Sequence, residues 1–322
     1  MFFEIDSVAM GKISIRSLVA EKYKVWFAAN EGRFGYHDFN DNTTFEKRIV
    51  FDSLKPEFRS MAQTQGFIFI LSIANPALLY KIDKKNVKPK LIYRESHSKV
   101  FYDSMKFWNE TEGIAVGDPT EDCFSLLITH NGGNSWNKMP CENLPKLADG
   151  EAAFAASNTN IVVKGEKCWI VSGGKKARVF FSPDKGQTWS VYDSPIVHGG
   201  QMTGIYTADF YDEHTGIIAG GNYDQPNEKA GNKAVTHDSG KTWTPISDNI
   251  GFGYASCIQF APGSDGRELL CVGATGVFYS SDGGFSWQKI LADKSLYTIS
   301  FLNRETVYAA GKDKIIRIRI KK

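Results

Sequence analysis

The chain has 322 residues, of which 42% are apolar and 23% are charged, which is enough apolar material for a packed core and too much for a disordered protein. Its 38 Lys and Arg against 36 Asp and Glu leave a net charge of +2, so a nucleic acid is not an expected partner. The five cysteines form no Cys-x-x-Cys pair, which argues against a disulfide framework and a zinc site and predicts buried free thiols. They are Cys123, Cys141, Cys168, Cys257 and Cys271.

No membrane-spanning or leader segment is predicted. The longest apolar stretch, residues 67–79, is interrupted by Ser72 and by Asn75 and Pro76 and is shorter than the ~20 residues that span a bilayer. The amino terminus carries acids where a secretory leader would carry Lys or Arg, and no apolar core follows. The compartment is left open, because a removed leader would place the protein in the periplasm or outside the cell.

The predicted strands fall into seven repeated units. Residues 2–5 are interpreted as an outer strand, and the units then start near residues 13, 57, 100, 150, 203, 254 and 296. Each unit combines short β-rich runs with turns of Gly, Asp and Asn, which is typical of a four-stranded antiparallel blade. The alternating strand 316–320 leaves the last unit one strand short. The amino-terminal strand is expected to complete it and so remove an exposed sheet edge.

Four of the predicted turns share one pattern: Ser/Thr, any residue, Asp/Asn, any residue, Gly, any residue, Ser/Thr, Trp. They lie at residues 129–136, 182–189, 236–243 and 280–287. The Gly permits positive φ, the acid or amide accepts backbone N–H bonds, and the Trp covers the turn. We favour a structural role over a calcium-binding or catalytic one for the eight residues Asn131, Trp136, Asp184, Trp189, Asp238, Trp243, Asp282 and Trp287.

The repeated turn resembles the Asp-box of the sialidase/BNR-repeat propellers. The run Phe107…Gly113-Ile-Ala-Val-Gly117 is most similar to the photosystem II stability/assembly factor family and its relatives in non-photosynthetic bacteria. Together these resemblances cover nearly the whole chain. They imply an all-β, seven-bladed β-propeller of four-stranded blades, with residues 1–322 as one domain and the Asp-boxes away from the functional face.

In such a propeller, the loops that enter the inner strands and those that join the second and third strands gather at one mouth of the channel, where we expect function. The ligand-binding candidates there are Arg16, Arg59, Arg178, Lys175, Tyr102 and Tyr297. They predict a mixed but basic-leaning pocket. We expect a non-catalytic, assembly-factor-like scaffold that binds a protein partner or an anionic or carbohydrate ligand, as a monomer by default and without cofactor or metal.

A sialidase-like glycoside hydrolase is the alternative. By resemblance to that family, Arg16, Arg59 and Arg178 would clamp a substrate carboxylate. Catalytic candidates would be Glu151, Asp103, Asp118 and Tyr254. The sequence departs from the family, because it has no Arg-Ile-Pro near the amino terminus and Arg16 is followed by Ser-Leu. Binding is therefore favoured over catalysis.

Overall fold

The computed structural model describes residues 2–321 and shows an all-β protein. The one helix among the described residues is a 3₁₀ turn, Cys141–Asn143. The described part of the chain has no helix that is long and apolar enough to cross a membrane.

The strands form six hydrogen-bonded sheets, which we number I to VI. Sheet I has the order β27-β28-β1-β2-β3-β4, and its strands are β1 (Phe2–Ala20), β2 (Lys24–Ala29), β3 (Arg33–Asp38), β4 (Thr43–Arg48), β27 (Leu296–Asn303) and β28 (Thr306–Lys321). Sheet II contains β5 (Phe58–Gln63), β6 (Phe67–Ser72), β7 (Ala77–Asp83) and β8 (Pro89–Glu95). Sheet III contains β9 (Tyr102–Phe107), β10 (Gly113–Gly117), β11 (Ser125–Thr129) and β12 (Asn137–Lys138).

The other three sheets come from the second half of the chain. Sheet IV contains β14 (Ile161–Lys164), β15 (Lys167–Val171), β17 (Arg178–Ser182) and β18 (Ser190–Asp193). Sheet V has the order β13-β16-β19-β20-β21-β22, with β13 (Glu151–Ala152), β16 (Gly173–Gly174), β19 (Thr203–Phe210), β20 (Gly216–Asn222), β21 (Lys233–Thr236) and β22 (Thr244–Pro245). Sheet VI contains β23 (Ala255–Phe260), β24 (Leu269–Gly273), β25 (Gly276–Ser280) and β26 (Gln288–Leu291).

The prediction of seven four-stranded blades is wrong, because the described chain forms six sheets, two of them six-stranded. The inner strands β1, β5, β9, β14, β19, β23 and β27 pack in a closed ring, but they do not belong to seven separate sheets. β1 is 19 residues long and pairs with β28 through its first half and with β2 through its second. The first and last sequence units therefore share sheet I.

The two ends of the chain are held together within sheet I. Residues Phe2 to Ala9 pair in antiparallel register with Lys321 to Lys314. Next to this ladder, the ring of Phe3 lies against that of Tyr279 at 5.4 Å between centroids. The ring of strands is closed by this pairing, which leaves β28 without a free edge along this ladder.

The four repeated turns are closed by their own side chains. In the third of them, the Thr236 hydroxyl accepts a bond from the Gly240 N–H (3.0 Å), and one Asp238 carboxylate oxygen accepts from the N–H groups of Lys241 and Thr242. Gly240 has a φ of 82°, which is why glycine stands there. Trp136 is buried in its turn, whereas the other three Trp rings, including Trp243, are half-buried. Trp189, Trp243 and Trp287 each donate from the indole N–H to the carbonyl of the Gly in their own turn, so these rings lie against the turns as expected.

The centre of the ring is filled by residues 153–160, which we call the plug. Seven of these eight residues are buried, and the eighth is Phe154. Asn158 donates to the Met61 carbonyl of β5 (2.6 Å) and accepts from the Met105 N–H of β9 (2.9 Å). The plug also contacts the opposite strands, because Thr159 is hydrogen-bonded to Thr207 of β19 (2.7 Å) and Ser157 accepts from Thr298 of β27. The channel expected from the sequence is therefore closed.

The prediction that all five cysteines are free thiols is wrong for two of them. Cys123 and Cys141 form a disulfide with their Cα atoms 5.7 Å apart. Cys123 precedes β11 and Cys141 follows β12, so the hairpin brings together two residues that are 18 apart in sequence. An odd count and irregular spacing gave no sign of this pairing. Cys168, Cys257 and Cys271 are buried free thiols.

Candidate functional site

Six inner strands carry a β-bulge at the same end of the ring. In each strand the register skips one residue, so that this residue has no partner on the neighbouring strand. A bulge turns its extra side chain away from the regular alternation and is common beside binding sites. The skipped residues are Arg16, Arg59, Asp103, Tyr206, Ser256 and Tyr297.

Three of these residues, Arg16, Arg59 and Tyr206, line a cavity of about 410 Å³, which we call the mouth cavity. Its floor is residues 152–156, which are Ala152 and the first four residues of the plug, and the four alanines among them leave room above. Arg16, Arg59 and Asp118 lie in its wall together with Tyr206 and Tyr254. The plug thus converts an expected channel mouth into a pocket closed at the bottom.

Arg16 and Arg59 lie side by side in this cavity. Each donates to a plug carbonyl: Arg16 to Ala156 (3.2 Å) and Arg59 to Ala155 (3.5 Å). Arg59 also pairs with Glu57 at 2.7 Å. Arg16 forms no ion pair with a described residue, and its buried Nε has no hydrogen-bond partner among the residues that the structure describes. Burial, and after it the charge of Arg59, lower the pKa of Arg16.

The guanidinium of Arg16 is supported from below by an aromatic ring. It lies over Tyr297 at 4.3 Å from the ring centroid, a distance at which a cation is attracted to the π-face. Tyr297, which was predicted from the sequence to lie at the mouth, therefore positions Arg16.

Four aromatic rings that line the mouth cavity form one cluster. Phe154 and Tyr206 are stacked at 4.0 Å, and Tyr254 meets Tyr206 edge-on at 4.7 Å and Tyr223 edge-on at 5.2 Å. Burial raises the pKa of Tyr254 well above its ordinary value, and the neighbouring Tyr206 adds to the rise. Tyr254 is therefore protonated at neutral pH, which does not suit a phenolate nucleophile.

Two carboxyl groups lie beside Arg59. Asp103 is fully buried, and neither of its carboxyl oxygens has a hydrogen-bond partner among the described residues. Burial, and then the charge of Asp118, raise the pKa of Asp103, while Arg59 opposes the rise. Asp118 lines the cavity and accepts from the Ala153 N–H (3.0 Å). Its burial raises its pKa to about 7.

Arg178 and Glu151 lie together outside the mouth cavity. Arg178 donates to both carboxylate oxygens of Glu151 and to the Lys146 carbonyl. Glu151 also accepts from the Ser172 hydroxyl and the Ala148 N–H, so its oxygens are already engaged. The three arginines of the predicted clamp are therefore not gathered around one position.

The remaining two candidates also lie elsewhere. Lys175 is exposed and pairs with Asp149 at 3.1 Å. Tyr102 is buried in the core between sheets II and III, where its hydroxyl donates to Glu95 at 2.6 Å. Tyr102 precedes the bulge of β9, whose extra residue is its neighbour Asp103.

Phe154 as a residue of the cavity lining and residues 153–160 as a plug were not predicted from the sequence. Two signals were present. The third and fourth repeat intervals are 50 and 53 residues long, and the run Ala152–Asn160 consists mainly of small residues with Ser and Asn instead of β-branched ones. The run of small residues has a low strand propensity. Together with the longer intervals, it marks the place where the fourth unit departs from the others.

Comparison with known proteins supports the fold. Neither a protein-family model nor a curated protein sequence matches the chain. Among solved structures, "YCF48 bound to D1 peptide" is similar with a TM-score of 0.71 and 13% identity, covering 99% of this chain and 96% of that one. "YCF48 from Cyanidioschyzon merolae" has a TM-score of 0.68 at 12% identity, with 98% of both chains covered. "Structure of U3-55K" also has a TM-score of 0.68, at 10% identity and with 98% of both chains covered. The fold is a β-propeller like theirs.

Proposed function

We propose that this protein is a non-catalytic propeller that binds a partner protein by accepting an acidic side chain of the partner in the mouth cavity. The observation that carries the proposal is the pair Arg16 and Arg59. Both are turned into one closed pocket, and Arg16 has no carboxylate partner among the described residues. A guanidinium without a carboxylate partner gains a charged hydrogen bond when a carboxylate enters.

The other walls of the cavity suit a protein ligand. Tyr206, Tyr223 and Tyr254 offer apolar faces beside the arginines, and Tyr and Arg are the residues most enriched where proteins bind one another. The similar structure of YCF48 was solved with a D1 peptide, which supports peptide binding as a use of this fold. A fold alone does not carry a function, so the proposal depends on the two arginines.

The hydrolase alternative is less well supported by the geometry. Its clamp needs Arg178, which is engaged by Glu151, and its nucleophile Tyr254 is held protonated. A fluorogenic sialoside and a panel of aryl glycosides test this alternative directly. Turnover by the wild type that is lost in Glu151→Gln would contradict the proposed function.

We expect Arg59→Ala to weaken the binding of an acidic peptide by roughly tenfold to a hundredfold, because a charged hydrogen bond contributes ~1.5–3 kcal/mol. The probe is a rhodamine-labelled peptide of six glutamates between Gly-Ser linkers, and the measurement is fluorescence anisotropy at low salt. Stability should change little, because Arg59 is half-exposed.

Arg48→Ala is the matched control, since Arg48 is an exposed arginine on β4 that does not line the mouth cavity. It removes the same charge and should leave affinity within about twofold of the wild type, as expected for a distant, screened charge. Equal affinities of Arg59→Ala and Arg48→Ala would contradict the assignment of the mouth cavity as the binding site. A hexaglutamine peptide should not bind.

A further inference from the structure

The mouth cavity contains more carboxyl groups than a simple anion site should have. Asp118 lies in the wall of the cavity, and Asp103 lies directly behind it. Asp103 is within electrostatic range of both Asp118 and Arg59. Two ionised carboxylates here would oppose the entry of an anion. Their presence therefore needs a reason within the proposed function.

The surroundings of Asp103 indicate that the pair holds a proton. Asp103 is fully buried, and its two oxygens have no donor among residues 2–321. An ionised carboxylate without donors is strongly disfavoured in such a place, whereas a protonated one is tolerated. The bulge in β9 fixes Asp103 in this position, and β10 holds Asp118 next to it.

Asp118 differs from Asp103 because it reaches the cavity. One of its oxygens accepts from the Ala153 N–H of the plug, and Asp118 lines the cavity together with Arg16 and Arg59. Burial places its pKa at about 7. When Asp118 is protonated, the arginines face the ligand without a competing charge, and when it is ionised it partly cancels their field.

Other charged groups face this pair from every neighbouring element. They are Arg16 on β1, Glu57 and Arg59 at the start of β5, Lys99 before β9, Glu121 and Asp122 after β10, and Asp149 and Glu151 before and in β13. Four of the acids are paired: Glu57 with Arg59, Asp122 with Lys146, Asp149 with Lys175 and Glu151 with Arg178. No histidine is among the described residues that line the mouth cavity or the adjoining cavity.

We propose that Asp103 and Asp118 form a proton-operated switch that makes anion binding in the mouth cavity stronger in mildly acidic than in mildly alkaline solution. The proposal rests on the proposed function, since it concerns the same cavity. Binding of an anion is coupled to uptake of about one proton by the pair, so affinity falls as pH rises. The chemical class of the ligand is a carboxylate or another small anion.

The test is the pH dependence of binding of the rhodamine-labelled hexaglutamate peptide between pH 5.8 and pH 8.2. Glutamate side chains stay ionised over this range, so the probe does not change its charge. We expect wild-type affinity to be about tenfold higher at pH 5.8 than at pH 8.2. Asp118→Asn should remove most of this difference and bind at pH 8.2 about as well as the wild type binds at pH 5.8.

Asp122→Asn is the control, because Asp122 lies four residues away on an exposed loop and pairs with Lys146. It should keep the wild-type pH profile. A flat wild-type profile, or the same slope in Asp118→Asn and wild type, would overturn the switch while leaving the proposed function standing. Arg59→Ala binding as well as wild type at both pH values would instead overturn the proposed function.

A second measurement does not need a ligand. A carboxyl group with a raised pKa in the folded state stabilises the protein below its unfolded pKa, and this stability is lost as pH rises through about 7. The melting temperature of Asp118→Asn relative to wild type should therefore be higher at pH 8.2 than at pH 5.8. An equal difference at both pH values would overturn the proposal even if no peptide binds.

Discussion

Deletion of residues 2–9 is expected to lower the free energy of unfolding by roughly 4–8 kcal/mol, at ~0.5–1 kcal/mol net for each of about eight lost ladder hydrogen bonds. These residues pair with Lys321 to Lys314, and they are the part of β1 that joins the two chain ends. Their loss also uncovers the edge of β28 and the ring of Tyr279, so the truncated protein should self-associate. Urea denaturation and size-exclusion chromatography measure the two effects.

The ion pairs on the same strand provide a control. Arg317 pairs with Asp6 (2.8 Å) and Arg319 with Glu4 (3.0 Å), and all four side chains are partly exposed. Glu4→Gln with Asp6→Asn keeps the strand and should cost only about 1–2 kcal/mol, because exposed ion pairs contribute little. A truncated chain that remains monomeric and melts at the wild-type temperature would show that the end pairing does not hold the ring closed.

Asn158→Ala is expected to destabilise the protein by about 2–5 kcal/mol. The substitution leaves the Met61 carbonyl and the Met105 N–H unsatisfied in a buried place, and each such group costs ~1–3 kcal/mol. Asn158 also has a φ of 62°, a conformation that Asn tolerates better than Ala. The plug should loosen from β5 and β9, and hydrogen exchange of residues 153–160 should accelerate.

Asn160→Ala is a matched control within the plug. Asn160 is fully buried like Asn158, but its side-chain nitrogen and oxygen have no hydrogen-bond partner among the described residues. Removing an unsatisfied amide should be nearly neutral or stabilising. Equal losses of unfolding free energy in Asn158→Ala and Asn160→Ala would mean that packing, and not the two hydrogen bonds, holds the plug.

Local chemistry was the predictable part of this protein. Each repeated turn is closed by hydrogen bonds among its own residues. In one of them, Thr236 and Asp238 accept bonds from backbone N–H groups of the same turn, and Gly240 takes the positive φ that the turn needs. Such bonds depend on residues within one turn, so the sequence contains all that is needed. The all-β propeller follows from repetition of these turns.

The number of sheets was not predictable in the same way. It depends on whether β1 runs without interruption from β28 to β2, which is decided by contacts between residues about 300 positions apart. The disulfide was not predictable for the same reason, since Cys123 and Cys141 meet only once the hairpin between them has formed. Spacing along the chain does not contain this information.

The structure brings some of the candidate residues together and not others, and their role as a binding site stays a prediction. Arg16 and Arg59 could be placed at the mouth because they stand at equivalent points of two units, and the bulges then turn both inward. Arg178 stands at a mouth-facing position as well, but Glu151 binds it. Which of two nearby charges neutralises an arginine depends on distances that a repeat pattern does not give. The burial of Asp103 next to Asp118 was likewise not predictable from the sequence.

The most direct test of the mouth cavity is a crystal structure of the protein soaked at pH 6 with selenate, an anion whose selenium can be located by anomalous scattering. The proposed function predicts one strong selenium peak in the cavity above residues 152–156, with selenate oxygens about 2.7–3.2 Å from the guanidinium nitrogens of Arg16 and Arg59. An empty cavity, with selenium peaks only beside the repeated turns on the opposite face, would contradict it.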